Sequence, residues 1–257
     1  MHKSKDRVAL ITGGSSGIGF EMARQMSKQG SRVIICGRSS GKLHDSKSKC
    51  PDLFTIQCDI SLEDGRKILI ETIKRDYPDL NMLVNNAGIV YRYSLTNTGN
   101  LSDRITNEWK TNYFAPVLLA QDLLGFMIKN RGTIVNVCSA LSYVPLSIEP
   151  NYCATKAALM SMTQSMRLQY GKGGVKVVGI YYPEVDTPFQ EGHTTSKAIT
   201  AQAAASKALK GLNKGQDEIN IGLAKFMYIL NHLMPKKAAK MLNLLASDKI
   251  ERIENEL

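Results

Sequence analysis

Apolar runs that alternate with helix-like segments limit the fold of this chain more than any other feature. Short apolar runs recur at residues 7–11, 32–36 and 133–137, and segments with helical spacing lie between them. Strands that are apolar along their whole length need cover on both faces of a sheet, and the intervening helices can supply it. The sequence therefore predicts an α/β fold, a doubly wound parallel sheet of about seven strands with helices on both faces.

The same pattern predicts the remaining elements along the chain. Further strands are predicted at residues 53–58, 81–84, 175–180 and 217–222. Helices are predicted at residues 17–29, 39–49, 62–77, 103–129, 152–170, 198–210, 223–233 and 238–245. Since no linker divides the chain, we predict one domain over residues 1–257, in which residues 190–257 form a lid region, the last strand and carboxyl-terminal helices.

The composition excludes several classes of protein. No apolar stretch reaches the roughly 18 residues that a membrane-spanning helix needs, and the polar residues 1–7 do not form a signal peptide, so we expect a cytoplasmic protein. The five cysteines are scattered without a metal-binding pair, which favours reduced thiols and predicts no metal site. The net charge of +10 fits a polyphosphate ligand or simply a solvated basic surface. Because no nucleic-acid-binding motif occurs, we expect no nucleic-acid partner.

A glycine-rich turn follows the first predicted strand. Residues 12–19 read TGGSSGIG, and the next helix begins inside this segment. Glycines let the backbone turn sharply and approach a pyrophosphate, which then lies at the start of the helix. The spacing differs from GxGxxG, but its position between the first strand and the first helix favours a dinucleotide site, in a Rossmann-like fold, over an empty tight turn. The predicted cofactor-binding residues of this turn are Gly13, Ser15, Ser16, Gly17, Ile18 and Gly19.

The end of the second strand indicates which dinucleotide is preferred. NAD-binding proteins usually have an acidic residue here that bonds the ribose 2′-hydroxyl, and this chain has Gly37 instead. Arg38 follows, and a guanidinium group matches the geometry of a 2′-phosphate. We therefore predict that NADP(H) is favoured over NAD(H), with a plain surface role for Arg38 as the alternative.

Two more strand ends carry candidate cofactor contacts, because ligands of parallel sheets bind at the carboxyl ends of the strands. Asp59 and Ile60 follow the third strand. Asp59 can accept a hydrogen bond from an adenine amino group, or it can belong to the capping region of the next helix. Asn86, Ala87 and Gly88 follow the fourth strand, where small residues let the chain pass close to a cofactor.

A tyrosine and a lysine are the candidates for the chemistry. Tyr152 and Lys156 lie one helical turn apart, on the same face of a predicted helix. Alone, such a pair is common on protein surfaces, but Ser139 ends the fifth strand thirteen residues earlier, beside the expected cofactor. Asn112 lies inside another predicted helix, where a polar residue indicates a functional role. Together the four residues predict a catalytic site.

This ordered set of motifs resembles the short-chain dehydrogenase/reductase family over residues 6–190. Segments 33–38, 77–89 and 152–159 look similar to the DltE-type members, bacterial proteins associated with the cell-envelope D-alanylation cluster. The resemblance implies an oxidoreductase that interconverts a carbonyl and an alcohol by hydride transfer with a nicotinamide cofactor. It implies that Tyr152 is the general acid/base and that Ser139 holds the substrate oxygen. It also implies that Lys156, with the positive nicotinamide of the oxidised complex, lowers the pKa of the tyrosine. It implies further that Lys156 binds the nicotinamide ribose and that Asn112 holds a water that links Lys156 to solvent.

The segment after the sixth strand departs from the family pattern, which usually reads PGxVxT. Residues 182–188 read YPEVDTP, so Glu184 replaces the flexible glycine, with one residue fewer before the threonine. Pro183, Val185 and Thr187 remain candidates for the nicotinamide end of the cofactor site, with Thr187 near the carboxamide.

The loops that form the substrate pocket in this family are mainly apolar here. They predict a small-molecule carbonyl or alcohol substrate with an apolar part. Arg92 and His193 are candidate partners for a substrate anion, but a surface position is the simpler interpretation of both. A second hypothesis is a dinucleotide-binding sensor or scaffold with little turnover. The four intact catalytic candidates argue against it, because binding alone does not need them.

The last two predicted helices have apolar faces. They can cover the pocket or pack against a second subunit, and we expect a homo-oligomer, a dimer or a tetramer. The alternative is peripheral contact with an anionic membrane through Lys225, Lys236, Lys237 and Lys240.

Overall fold

The described chain is built around a sheet of parallel strands. The computed structural model describes residues 4–95 and 100–256. Residues 1–3, part of the polar start that predicts no signal peptide, lie outside the described residues, as do residues 96–99 and 257. The strands are, in chain order, β1 (Val8–Thr12), β2 (Arg32–Gly37), β3 (Phe54–Gln57), β4 (Met82–Asn85), β5 (Thr133–Ser139), β6 (Lys176–Tyr182), β7 (Val185–Asp186), β8 (Ile199–Thr200) and β9 (Glu218–Asn220).

Seven of these strands form the main sheet, in the order β3-β2-β1-β4-β5-β6-β9, and every neighbouring pair is parallel. The order reverses between β1 and β4, which opens a crevice at the carboxyl ends of these two strands. The short strands β7 and β8, which the sequence did not predict, pair with each other outside this sheet. The predicted fold class is therefore confirmed.

Helices cover both faces of the sheet. They are α1 (Gly17–Lys28), α2 (Ser40–Lys49), α3 (Glu63–Asp76), α4 (Leu101–Trp109), α5 (Ala115–Asp122), α6 (Leu124–Lys129), α7 (Pro150–Tyr170), α8 (Ala201–Asn213), α9 (Leu223–Leu233), α10 (Pro235–Leu245) and α11 (Ser247–Glu256). On one face, Ile11 of β1 packs in a cluster with Met22 of α1 and Leu209 of α8. Its neighbour Leu10 faces the opposite layer, with Leu69 of α3. Burying each such side chain stabilises the fold by roughly 1.5–3 kcal/mol.

The helix predicted at residues 103–129 is not continuous. A π-helical turn, Lys110–Phe114, separates α4 from α5, and Leu123 separates α5 from α6. Pro116 explains the first break, because it lacks the N–H group that an α-helix would use to bond the carbonyl of Asn112. The wider turn therefore includes Asn112, one of the predicted site residues.

The carboxyl-terminal region differs from the prediction in two ways. Helix α10 begins at Pro235, so only Met234 separates it from α9, and proline is well suited to a first helical position. Helix α11 was not predicted at all. Its residues Ile250 and Ile253 pack against Leu146, Ile148 and the end of α10.

Candidate active site

One cavity, with a volume of about 490 Å³, lies at the carboxyl ends of the strands. It spans the crevice at β1 and β4, where ligands of doubly wound sheets bind. Most predicted site residues line it: Gly13, Ser15, Ser16, Gly17, Ile18, Arg38, Asp59, Ile60, Asn86, Ala87, Gly88, Ser139, Tyr152, Lys156, Pro183, Val185 and Thr187. Gly19 and Asn112 lie behind this lining.

The glycine turn is packed against the end of β4 so closely that side chains would not fit. Gly13 has φ +63°, and a Cβ atom there would lie 2.9 Å from Cα of Ala87. A Cβ atom at Gly19 would lie 2.4 Å from Nδ2 of Asn86. Asn86 holds the turn in return, because its Nδ2 donates to the carbonyl of Thr12 over 3.0 Å. The turn thus presents backbone to the cavity just before the start of α1, as a bound diphosphate requires.

The end of β2 brings cations and no carboxylate to the cavity. Arg38 is exposed at the rim, and its neighbours in the lining there are Gly37, Ser39 and Lys42. Sequence reasoning missed Lys42, a second cation one turn into the helix. This end of the cavity is therefore suited to a phosphate group.

Asp59 is engaged in local structure. Its carboxylate accepts hydrogen bonds from the N–H group of Ser61 over 2.9 Å and from the Ser61 hydroxyl over 2.7 Å. The local role considered for Asp59 at the start of α3 is therefore present. Its carbonyl is also covered, because a Cβ atom at Gly65 would lie 1.9 Å from it. Packing against Gly65 thus shapes the loop that forms this wall.

Tyr152, Lys156 and Ser139 meet at one side of the same cavity. Tyr152 and Lys156 project from α7 and are almost fully buried, while Ser139 ends β5. The Lys156 ammonium donates to the carbonyl of Val137 over 2.8 Å and lies 5.7 Å from the centroid of the Tyr152 ring. The Ser139 hydroxyl accepts from the N–H group of Leu141 over 3.1 Å.

The protein's own groups keep the tyrosine protonated. Burial raises the pKa of Tyr152 well above its ordinary value, and the Glu149 charge raises it further, while the nearby Ser139 hydroxyl has a smaller opposite effect. Burial also lowers the pKa of Lys156. In the protein alone, desolvation therefore dominates at both groups, and the lowering of the tyrosine pKa in the oxidised complex stays a prediction.

Asn112 holds two elements together behind the site. Its Oδ1 atom accepts from the N–H group of Ile89 over 2.9 Å, and its Nδ2 donates to the carbonyl of Ile89 over 2.9 Å and to Thr155 Oγ1 over 3.2 Å. Both amide protons are thus used within the protein. A Cβ atom at Gly88 would lie 3.4 Å from Asn112 Oδ1 and 3.8 Å from Lys156 Nζ, so these groups converge on one point.

Comparison with known proteins agrees with this geometry. The sequence model of the short chain dehydrogenase family matches residues 7–198. The chain belongs to the short-chain dehydrogenase family. The oxidoreductase DltE of Bacillus subtilis (strain 168) is 36% identical over 223 residues, which are 84% of this chain and 88% of DltE. An oxidoreductase of Staphylococcus epidermidis is 29% identical over 222 residues, 83% of this chain and 94% of that protein.

Solved structures of the family share the fold. A short-chain dehydrogenase from Burkholderia cenocepacia in complex with NADP aligns with a TM-score of 0.84 at 23% identity, over 94% of this chain and 99% of that one. One from Sphingobium yanoikuyae in complex with NADPH aligns with a TM-score of 0.77 at 20% identity, over 90% and 96% of the two chains. The protein is therefore a dehydrogenase/reductase with the fold of this family, as the sequence predicts.

A buried charge cluster distinguishes the substrate side of this short-chain dehydrogenase, and sequence reasoning missed it. We give this name to Arg92, Glu149, Glu184 and Lys249. Arg92 Nε donates to Glu149 Oε1 over 3.0 Å, and both side chains are only 6% exposed. Lys249 of α11 donates to Glu184 Oε1 over 2.9 Å and lies 4.0 Å from Glu149. Gln190 accepts from both cations.

This cluster corrects one expectation from the sequence and gives Glu184 a structural role. Arg92 is buried and paired, so its interpretation as a surface residue is wrong. Glu184, in place of the family's glycine, is one of the partners of Lys249 and also accepts from the Thr195 hydroxyl. Because the partners are far apart in the chain, no local pattern could have indicated these pairs.

The rest of the substrate side is apolar. Phe189 packs on Tyr152, with ring centroids 5.7 Å apart. The apolar residues that line this side include Leu141, Leu146, Phe189, Leu223, Met227, Leu242 and Leu245. Three other residues of the loop after β5 lie behind this wall: Tyr143, which stacks on Tyr181, and the buried residues Val144 and Ile148. His193 is not part of the lining.

No helix among the described residues is long and apolar enough to cross a membrane. Across residues 4–95 and 100–256, no group of three His, Cys, Asp or Glu side chains is arranged to hold a metal ion. All five cysteines are buried free thiols.

Proposed function

We propose that the protein is an NADP(H)-dependent oxidoreductase that interconverts a carbonyl and an alcohol, with Tyr152 as the general acid/base. The observation that carries this proposal is a shared cavity. Ser139, Tyr152 and Lys156 line the same space as the glycine turn, so a dinucleotide that starts at the turn can end beside the tyrosine.

The lining suits each part of the cofactor. The turn residues from Gly13 to Gly19 would hold the diphosphate at the start of α1. Asp59 and Ile60 would lie beside the adenine, and the segment from Asn86 to Gly88 would lie along the middle of the cofactor. Lys156 would bind the nicotinamide ribose, and the segment from Pro183 to Thr187 would contact the nicotinamide. When bound, this cofactor supplies or accepts a hydride at C4 of its nicotinamide ring.

The preference for NADP(H) over NAD(H) is supported by charge. Arg38 and Lys42 flank Gly37 at the end of β2, and the lining there carries no carboxylate for a ribose 2′-hydroxyl. A guanidinium and an ammonium can pair with a 2′-phosphate. The Burkholderia and Sphingobium structures described above hold NADP and NADPH, which agrees with this preference.

The protonated state of Tyr152 allows it to act as the acid in reduction. Because burial keeps the phenol protonated, it can donate a proton to the substrate oxygen while Ser139 holds that oxygen. Lys156 would then stabilise the phenolate that remains. The side chain of Asn112 keeps the loop after β4 against α7. The backbone carbonyl of Asn112 lacks an α-helical donor because residue 116 is a proline. This carbonyl is the group that can hold a water near Lys156.

The substrate we propose is a small-molecule carbonyl or alcohol with an apolar part, because apolar residues form most of that wall. We further propose a cytoplasmic homo-oligomer. Phe114, Ile128 and Leu168 are large apolar side chains left exposed on the helices of one face, and a second subunit can cover them.

The test is to compare Tyr152→Phe with the wild type. A panel of aldehydes and ketones is screened by NADPH oxidation, and NADPH binding is titrated by fluorescence. We expect the variant to lose about 10²–10⁴-fold in kcat while it binds NADPH within a few-fold of the wild type. Tyr170→Phe, at the end of the same helix, is the matched control and should keep full activity. Equal activity of the two variants, or loss of NADPH binding by Tyr152→Phe, would contradict the proposal.

A further inference from the structure

Helices α9 and α10 expose an unusual amount of apolar surface. Large exposed apolar side chains also occur elsewhere among the described residues, but eight of the fifteen lie between residues 223 and 245. We call the following set the apolar face: Leu223, Phe226, Tyr228, Ile229, Leu233, Met234, Leu244 and Leu245. Leu233 and Leu244 are the extreme cases, 73% and 74% exposed. Contiguous exposed apolar surface of this kind marks an interaction site.

The apolar face is not the side of these helices that packs on the rest of the protein. Met227 of α9 and Ala238 of α10 are fully buried against Val144, so the helix pair is already anchored by its inner side. Tyr228 touches Tyr143 beside this contact, with ring centroids 5.2 Å apart, and the other residues of the apolar face are left exposed. Turning them inward would expose the anchoring residues instead.

The charges on α9 and α10 are all of one sign. Residues 222–246 contain Lys225, Lys236, Lys237 and Lys240 and not one aspartate or glutamate. All four lysines are exposed. Exposed apolar side chains flanked by lysines are the pattern of helices that lie in the interface of an anionic membrane. A second copy of the same face would bring like charges together, which disfavours a symmetric dimer here.

The apolar face is continuous with the mouth of the cavity. Leu223 and Leu245 belong to both, and Met227 and Leu242 continue the lining inward from them. An apolar molecule could therefore pass between a lipid layer and the cavity without crossing water. The helices are too short to span a bilayer, so they would lie along its surface.

We propose that α9 and α10 dock on an anionic lipid surface and that the cavity receives a lipophilic carbonyl or alcohol from that surface. The docking half of this proposal is independent of catalysis. The substrate half rests on the proposed oxidoreductase function.

Docking is tested by sedimentation of the full-length protein with two kinds of vesicle, phosphatidylcholine alone and phosphatidylcholine mixed with phosphatidylglycerol. We expect binding only to the mixed vesicles, and weaker binding at high salt. The triple variant Lys236→Gln, Lys237→Gln, Lys240→Gln should lose about 100-fold in affinity. The matched control removes the same charge from distant exposed lysines, Lys74→Gln, Lys129→Gln and Lys172→Gln, and should lose far less.

A double variant tests whether the apolar side chains bind lipid or instead bind a second copy of the chain. Leu233→Ser with Leu244→Ser should abolish vesicle binding and leave the oligomeric state, measured by analytical ultracentrifugation, unchanged. Dissociation of an oligomer by this double variant would overturn the proposal in favour of a second copy of the chain. No difference between the two kinds of vesicle would overturn it as well.

The substrate half is tested with methyl ketones of increasing chain length. Mixed vesicles should raise kcat/KM for the longest ketones and not for the shortest, and the triple lysine variant should lose this gain. An equal effect on all chain lengths would overturn lipid delivery. Tyr152→Phe separates the two proposals, because it should bind the vesicles like the wild type even though it does not turn over. Vesicle binding without any ketone reduction by the wild type would contradict the oxidoreductase function and the delivery of substrate, and would leave docking supported.

Discussion

The nucleotide side and the substrate side of the cavity are built by different means. On the nucleotide side, backbone meets backbone: Gly13 packs on Ala87, and Gly65 packs on Asp59, at distances that admit no side chain. On the substrate side, charged side chains reach across long separations in sequence, as Lys249 does to Glu184. The comparison suggests that the first side tolerates almost no change, while the second can vary with the substrate.

The family match covers the nucleotide side in full and the substrate side in part. It runs through residues 7–198 and so includes the close contacts of Gly13 and Gly65, the tyrosine helix and three members of the charge cluster, Arg92, Glu149 and Glu184. Helices α9, α10 and α11, with Lys249 and the apolar face, lie beyond it.

The largest effect should come from the glycine turn. Gly13→Val places a branched side chain at a positive φ and against the Ala87 backbone, so the turn must move. We expect NADPH affinity to fall by at least about 100-fold, together with a loss of about 2–3 kcal/mol in the free energy of unfolding. Fluorescence titration and denaturant unfolding measure the two effects. Gly125→Ala is the control, since nothing lies within 4 Å of a Cβ atom there, and it should be neutral or slightly stabilising.

Substitutions in the charge cluster should have effects that depend on one another, because each charged side chain there is paired with one of opposite sign. Lys249→Met leaves Glu184 and Glu149 without their shared cation, and we expect the free energy of unfolding to fall by about 2 kcal/mol, with Glu184 partly exposed. The double variant Lys249→Met with Glu184→Gln should lose less than the sum of the two single variants. Lys240→Met, an exposed lysine on α10, is the control. Strictly additive losses would mean that the pair is not coupled, and the contrast between the two sides would fail.

A smaller effect is expected at the rim of the nucleotide side. Arg38→Ala removes a cation that is exposed, so a bound phosphate loses a partly screened contact. We expect NADPH affinity to fall by about tenfold, while NADH affinity stays within about twofold. Titration of both cofactors measures the preference. An equal loss for the two would show that Arg38 does not contact the 2′-phosphate.

These two sides also differ in how far they could be predicted. The sheet, the glycine turn and the tyrosine–lysine pair follow from local patterns, since strand ends converge and residues four apart share a helix face. Arg92 could not be interpreted correctly, because a lone arginine predicts a surface residue and its partner Glu149 is 57 positions away. Helix α11 was missed because residues 247–256 are mostly charged, and only Ile250 and Ile253 indicate an inward face.

Two details of the chemistry were beyond sequence reasoning for a related reason. The π-helical turn at Asn112 depends on Pro116, but a proline inside an apolar helix predicts a kink without giving its form. The state of Tyr152 depends on burial, which no motif encodes. The motif predicts a lowered tyrosine pKa in the oxidised complex, and in the protein alone burial raises this pKa.

The smallest effect should be a gain in stability at the point where the two sides meet. The Lys156 ammonium is buried, and desolvation lowers its pKa, so the folded protein binds this proton less tightly than the unfolded chain does. That difference costs stability at any pH below the lowered pKa, and the cost disappears as the pH rises to the ordinary lysine value. Lys156→Met removes the cost but also removes the hydrogen bond to Val137, so we expect a net gain of about 1 kcal/mol near neutral pH.

The pH dependence is what separates this explanation from simple repacking. The advantage of Lys156→Met over the wild type should shrink as the pH is raised towards the ordinary lysine value, because the wild-type lysine then loses its proton in both states. Denaturant unfolding of the two proteins over a pH series measures it, and Lys172→Met, which is exposed, should show no such trend. A constant advantage at every pH would mean that the methionine merely packs better. A loss of stability at neutral pH would mean that the bond to Val137 outweighs desolvation, and that the lysine is held at no cost to the fold.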